Sequence, residues 1–226
     1  MKIKELTLYT SELHQQRDFY QHVFGLKTTN KSPNSFSVRL GHSKLLFEKS
    51  EKPHVYHYCF LIPNNKLALA INWLQDRLSV ITYENGRIIE PGPDDWNSES
   101  VYFFDPTVNI LEFIVRHNLN NYSDREGFDA SQIISMNEIG MASKHPERLN
   151  QELKLVLGSK LKYGNVDRFG ANGSEDGLFL LVNYNKKRTW FPTNIPPTPT
   201  PFKGIFEHDN NQVLLKFENE SVIAIA

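Results

Sequence analysis

The sequence predicts an α+β fold of paired βαβββ modules, in which a curved mixed sheet carries helices on its convex side. Three observations predict it. A strand–helix–strand–strand–strand pattern of about 50 residues recurs along the chain. The predicted helices are amphipathic, and two of them run directly into a glycine, Gly25 and Gly158. The strands alternate apolar and polar residues, so each has one face for the helices and one left free. A single module leaves one sheet face bare; two side by side curl into a cup.

The first module occupies 1–50. Its opening strand, Ile3 to Thr10, turns Leu6 and Leu8 one way and Ile3, Glu5, Thr7 and Tyr9 the other. Ser11 caps a helix whose stripe is Leu13, Phe19, Tyr20, Val23 and Phe24. Strands follow at 27–30, 35–40 and 44–49. The second module, 54–117, opens on a strand at 55–62 that Pro63-Asn64-Asn65 breaks. A helix at 67–78 and strands at 81–83, 101–104 and 109–115 complete it, with a short strand placed at the start of ENGRIIEPGPDDWNSES. Residues 118–130 read as a polar linker. The region 131–226 then holds one full module, 133–190, with Pro146 at a helix start, and a reduced fourth. That fourth has two strands, 204–207 and 213–217, behind the proline-rich loop FPTNIPPTPTPF, and no helix between them.

Composition narrows the function. The chain has 226 residues, 39% hydrophobic and 23% charged, which is the globular range. A net charge of −1 argues against nucleic acid, since phosphate binding needs concentrated Lys and Arg. The single cysteine, Cys59, allows no intrachain disulfide and fits a reducing compartment. No apolar run approaches membrane length, and the opening MKIKELTLYT reads as neither signal nor anchor. A cytoplasmic protein, monomer or homodimer, with a small-molecule partner is the expectation.

Strand alternation selects the side chains that point into the cup. If Leu6 and Leu8 face the helix, Glu5 faces inward. By the same parity His57, Cys59, Glu48 and Glu112 face inward. Glu5 and His57 hold equivalent positions in the two modules, as do Glu48 and Glu112. Carboxylates converging on a desolvated cup would repel by several kcal/mol unless compensated. A divalent cation removes that cost. One imidazole with carboxylates suits Mn²⁺, Fe²⁺ or Zn²⁺, with Mg²⁺ also open.

Three segments, RDFYQHVFGLK, HYCFLIP and VYFFDPTVNILEF, resemble the vicinal oxygen chelate superfamily. That superfamily includes glyoxalase I, bleomycin-resistance proteins and extradiol dioxygenases. The resemblance is strongest over 1–117. It implies paired modules with a metal in the cup, its ligands drawn from opening and closing strands. Those positions match Glu5, Glu48, His57 and Glu112. The chain departs from the family at Glu5, where histidine is usual, and at Asp105-Pro106-Thr107-Val108-Asn109, where a glycine is missing. Glu138 stands at the equivalent opening position of the third module, but the closing strand GLFLLVN carries no acid. No complete metal site is therefore expected there.

These readings imply a metal-dependent glyoxalase/dioxygenase-like enzyme for a small molecule with vicinal oxygens. Glu5 or Glu48 would leave the metal to act as base. The alternative is a metal-free protein that binds or sequesters a small molecule, favoured by 12% aromatic residues and the lone ligand histidine. Cys59, Trp96 and Tyr102 are candidate pocket residues, although Cys59 serves equally as a core residue and Trp96 as a loop anchor. Arg188-Thr189-Trp190-Phe191-Pro192 offers either a cation and an aromatic wall for an anionic substrate or a staple for the proline loop.

Overall fold

The computed structural model describes residues 1–83, 86–93 and 95–225. The first module comprises β1 (Lys2–Thr10), α1 (Leu13–Asp18), β2 (Thr28–Ser32), β3 (Ser35–Leu40) and β4 (Ser43–Lys49). The predicted helix over 11–24 is thus split: α1 gives way to a π-helical turn at Phe19–Val23, which ends before Gly25 at φ +68°. The second module comprises β5 (His57–Leu61), α2 (Leu67–Gln75), β6 (Glu90–Pro91), β7 (Ser98–Phe104) and β8 (Ile110–Arg116). Residues 81–83 form no strand; only Val80 makes a bridge there, to Phe103. The start of the short strand expected from residue 84 falls on Glu84 and Asn85, outside the described residues.

The third module is regular: β9 (Ser135–Ser143), α3 (Pro146–Leu157), β10 (Leu161–Asn165), β11 (Phe169–Ser174) and β12 (Gly177–Asn183). Pro146 opens α3, and Gly158 closes it in the left-handed conformation. The reduced fourth module has three strands, β13 (Phe202–His208), β14 (Asn211–Glu218) and β15 (Ser221–Ala224), one more than the sequence suggested.

Modules do pair, but with different partners from those expected. Among the described residues one sheet runs β15-β14-β13-β1-β4-β3-β2, joining the first module to the fourth. The other runs β10-β11-β12-β9-β5-β8-β7-β6, joining the second to the third. Residues 1–117 therefore do not share one sheet. The first module's edge strand β1 is taken by β13, and β5 pairs antiparallel with β9. Burial explains the sorting. Every residue of β5, β8 and β12 is buried, as central strands covered on both faces require, whereas β4 and β13 alternate buried and partly exposed positions.

The helices lie between the convex faces of the two sheets and share one core. Phe24, just beyond α1, packs on Phe60, Trp73, Phe103 and Phe113. Helix α3 touches β9 and β12 on one side and β13, β14 and β15 on the other. The Asp-Pro turn locks this arrangement. Asp105, fully buried, accepts hydrogen bonds from Gln16 Nε2 (2.7 Å), Asn109 Nδ2 (2.7 Å), the Thr107 and Asn109 amides and the Tyr58 hydroxyl. Asn109 in turn accepts from the Tyr56 amide, fixing the start of β8 against β5.

Candidate metal centre

The concave face of the second sheet gathers three ionisable side chains. Strands β9, β5 and β8 are neighbours, and Cys59 on β5 stands opposite Glu138 on one side and Glu112 on the other. His57, two residues earlier on β5, joins them on the same face. The ligand atoms of His57, Glu112 and Glu138 all lie within 4.8 Å of one another, and all three residues are buried. His57 Nε2 is 3.5 Å from Glu112 Oε2. The imidazole is clamped between rings, 5.1 Å from Trp190 and 6.2 Å from Tyr102, and its buried Nδ1 has no hydrogen-bond partner among the described residues.

Glu138 is oriented by a residue the sequence reading passed over. Arg116, the last residue of β8, is 0% exposed. Its Nη2 donates to Glu138 Oε1 at 2.5 Å, and Nε and Nη2 donate to Asn137 Oδ1 at 3.1 and 3.0 Å. Adjacent strand residues normally face opposite ways. The register shift in the β5–β9 pair between Cys59 and Phe60 lets Asn137 and Glu138 reach the same guanidinium. Burial pushes the Glu138 carboxyl up, the Glu112 charge adds to this, and Arg116 opposes both. Glu112 makes no hydrogen bond among the described residues; its Oε2 approaches His57 Nε2 at 3.5 Å.

The donors fit a divalent metal. Two buried carboxylates and an imidazole offer one nitrogen and several oxygens, and one of those oxygens, Glu138 Oε1, is pinned by a guanidinium in the manner of an outer-shell support. Cys59 is not part of this set. Its thiol is fully buried among Leu61 and Ile114, and burial together with the two carboxylates pushes it up into the neutral form. Nor does Cys59 line the pocket, contrary to expectation.

Glu5 and Glu48 go elsewhere. Both belong to the other sheet, where Glu5 pairs with Lys44 at 2.7 Å and Glu48 with Lys203 at 3.0 Å. The strand parity behind their selection is correct; the partner module is not. Glu138, from the third module, is the acid that stands beside His57 and Glu112 instead. The position matching Glu112 in the third module is Leu180, two residues past the partner of Glu138, and it is apolar and buried.

Above these three side chains lies a cavity of about 260 Å³. Trp96 and Tyr102 line it, as the sequence suggested, together with Phe169, Leu180, Trp190 and Phe191. Trp190 belongs to the segment following β12 and covers Gly140, where a Cβ would come within 2.7 Å of its ring. Asp94, beside Trp96, lies outside the described residues.

No protein-family model and no curated protein matches the sequence. Solved structures do match the fold. A Bacillus subtilis (subsp. subtilis str. 168) protein described as a "putative dioxygenase" aligns over 99% of this chain and 84% of its own, with TM-score 0.59 and 16% identity. Glyoxalase I from Zea mays aligns over 80% of this chain and 66% of its own, with TM-score 0.50 and 16% identity. The chain has the vicinal oxygen chelate fold, built from paired βαβββ modules.

Proposed function

We propose that this protein is a metal-dependent enzyme of the glyoxalase/dioxygenase type, acting on a small molecule with vicinal oxygens. His57, Glu112 and Glu138 would hold one divalent ion, Mn²⁺, Fe²⁺ or Zn²⁺, with Mg²⁺ less suited to an imidazole. The observation that carries the reading is the convergence of three buried ligand groups, two of them acids, at the floor of an aromatic cavity. A bound ion would serve as a Lewis acid toward two neighbouring substrate oxygens.

The side chains divide the remaining work. Three protein ligands leave coordination positions open to a substrate, as catalytic sites do. Arg116 fixes the Glu138 carboxylate. Glu112, free of hydrogen bonds among the described residues, is the group placed to take a proton from the substrate, the role the sequence reading gave to Glu5 or Glu48. The Trp190 and Leu180 side chains keep the floor dry, which strengthens every electrostatic contact there. Among the described residues no helix is long and apolar enough to cross a membrane. A cytoplasmic monomer or homodimer completes the proposal.

Metal-free small-molecule binding is the second reading. Leu180 at the matching ligand position and Arg116 beside Glu138 favour it, since both reduce the need for a cation. Thermal unfolding of chelator-free protein with and without added Mn²⁺, Fe²⁺ or Zn²⁺ separates the two. The enzyme reading expects a rise in Tm that Glu112→Gln abolishes. A wild-type Tm indifferent to all three metals would leave only the second reading.

A further inference from the structure

The cavity above His57 has acids at its floor and a lysine in its wall. Lys187 lines it, half-buried, with its ammonium 5.8 Å from the Phe169 ring. Its hydrogen bond goes to the Thr189 carbonyl at 2.8 Å, and no acidic side chain pairs with it among the described residues. Burial holds the ammonium below the ordinary lysine range. A second hollow shares Lys187 and Phe191 with the cavity and is bordered by Arg168, Lys186 and Arg188. Of these only Lys186 has an ion-pair partner, Asp167, among the described residues. Tyr83, stacked on Phe191 at 5.5 Å, borders the same hollow, and its hydroxyl has no hydrogen-bond partner among the described residues. The other acid of the cavity wall, Glu90, is turned to Arg87.

A chain of net charge −1 thus concentrates positive charge where its aromatic cavity meets a second hollow. An unpaired half-buried cation is costly unless an anion meets it. The cavity volume, about 260 Å³, falls below the range for drug-sized ligands, and the rings of Trp96, Tyr102, Phe169, Trp190 and Phe191 make up much of its wall. We propose that Lys187 is the specificity residue of this cavity and that the substrate is a small planar anion, its charged group on the Lys187 ammonium and its body against the aromatic walls. Arg168 and Arg188 steer it inward. The orientation of its other end toward His57, Glu112 and Glu138 rests on the function proposed above.

The test uses benzoate and its neutral isostere benzamide, titrated calorimetrically into the full chain, with metal content measured on each preparation. Wild type should bind benzoate at least about tenfold more tightly than benzamide, the scale of one charged hydrogen bond. Lys187→Met should lose that preference while keeping its benzamide affinity, and Lys187→Arg should keep most of it. Equal affinities in wild type would overturn the proposal. So would a preference that survives in K187M, because the carboxylate would then be read by the metal. Absence of preference in metal-loaded wild type sinks this inference alone; preference in a protein that takes up none of added Mn²⁺, Fe²⁺ or Zn²⁺ sinks the metal reading and leaves the anion site.

Discussion

Replacing Arg116 with Met tests whether the floor of the cavity is an electrostatic unit. The guanidinium is 0% exposed and holds Glu138 at 2.5 Å and Asn137 at 3.0 and 3.1 Å. Removing one partner of a buried pair and leaving the other charged costs about 3–5 kcal/mol. Glu138 escapes part of this by taking a proton at neutral pH, because burial already pushes its carboxyl up. The Asn137 oxygen has no such escape, and an unpaired buried acceptor costs about 1–3 kcal/mol. The expected loss at neutral pH is therefore about 2–4 kcal/mol, read by urea unfolding in the presence of chelator. Glu138→Gln alone is also costly, since it strands the arginine. The double variant should cost less than the sum by about 1.5 kcal/mol or more, the coupling of groups in one network. An Arg116→Met loss under about 1 kcal/mol, or additivity within about 0.5 kcal/mol, would refute the reasoning.

Further expectations follow from the same geometry. Leu180→Glu adds an acid at the position matching Glu112; it should lower the Tm of metal-free protein and widen the gap between metal-loaded and metal-free forms. Asp105→Ala removes the acceptor of the Thr107 and Asn109 amides and one acceptor each of the Gln16, Asn109 and Tyr58 side chains, and should cost about 3 kcal/mol or more in urea unfolding. Burial holds the Lys187 ammonium down at about 8, so benzoate affinity should be full below that pH and fall as pH rises through it. In the free protein the sign is opposite. Between about 8 and the unfolded value of 10.5 the unfolded chain binds the extra proton, so Lys187 contributes rising stability across that window. Benzoate titrations over the range from about pH 6.5 to about 9.5 check the binding half, and a flat profile would contradict it.

Much of this was legible in the residues. Period-two alternation in KIKELTLYT and SKLLFEK placed Leu6, Leu8, Leu45 and Phe47 against the helices, and all four are buried. The same parity brought out His57 and Glu112, which the structure sets side by side. Sheet partnership is not legible in local pattern, because it is a non-local choice among strands with similar local patterns. A signal existed all the same. HYCFLI and GLFLLV are continuous apolar runs, the mark of strands covered on both faces, and β5 and β12 lie in one sheet. The alternating strands β1, β4 and β13 make up the centre of the other, whose concave side leaves Glu5, Lys44 and Glu48 partly exposed. Glu138 stands at the position equivalent to His57, but its own closing strand lacks an acid, so the sequence alone points away from it. Its partner acid, Glu112, comes from the neighbouring module. Arg116 lies one residue beyond the strand that alternation gives, 109–115, and only the bulge at Asn137 reveals its role.

Metal titration of two charge-neutralising variants tests the site most directly. Chelator-free wild-type protein, Glu138→Gln and Glu5→Gln would each be titrated calorimetrically with Mn²⁺ and Zn²⁺. If His57, Glu112 and Glu138 form the centre, wild type and Glu5→Gln take up one equivalent with the same affinity, and Glu138→Gln binds at least about a hundredfold more weakly, beyond the usual effect of an outer-shell change. Full binding by Glu138→Gln together with loss in Glu5→Gln would contradict the assignment and return the metal to the other sheet.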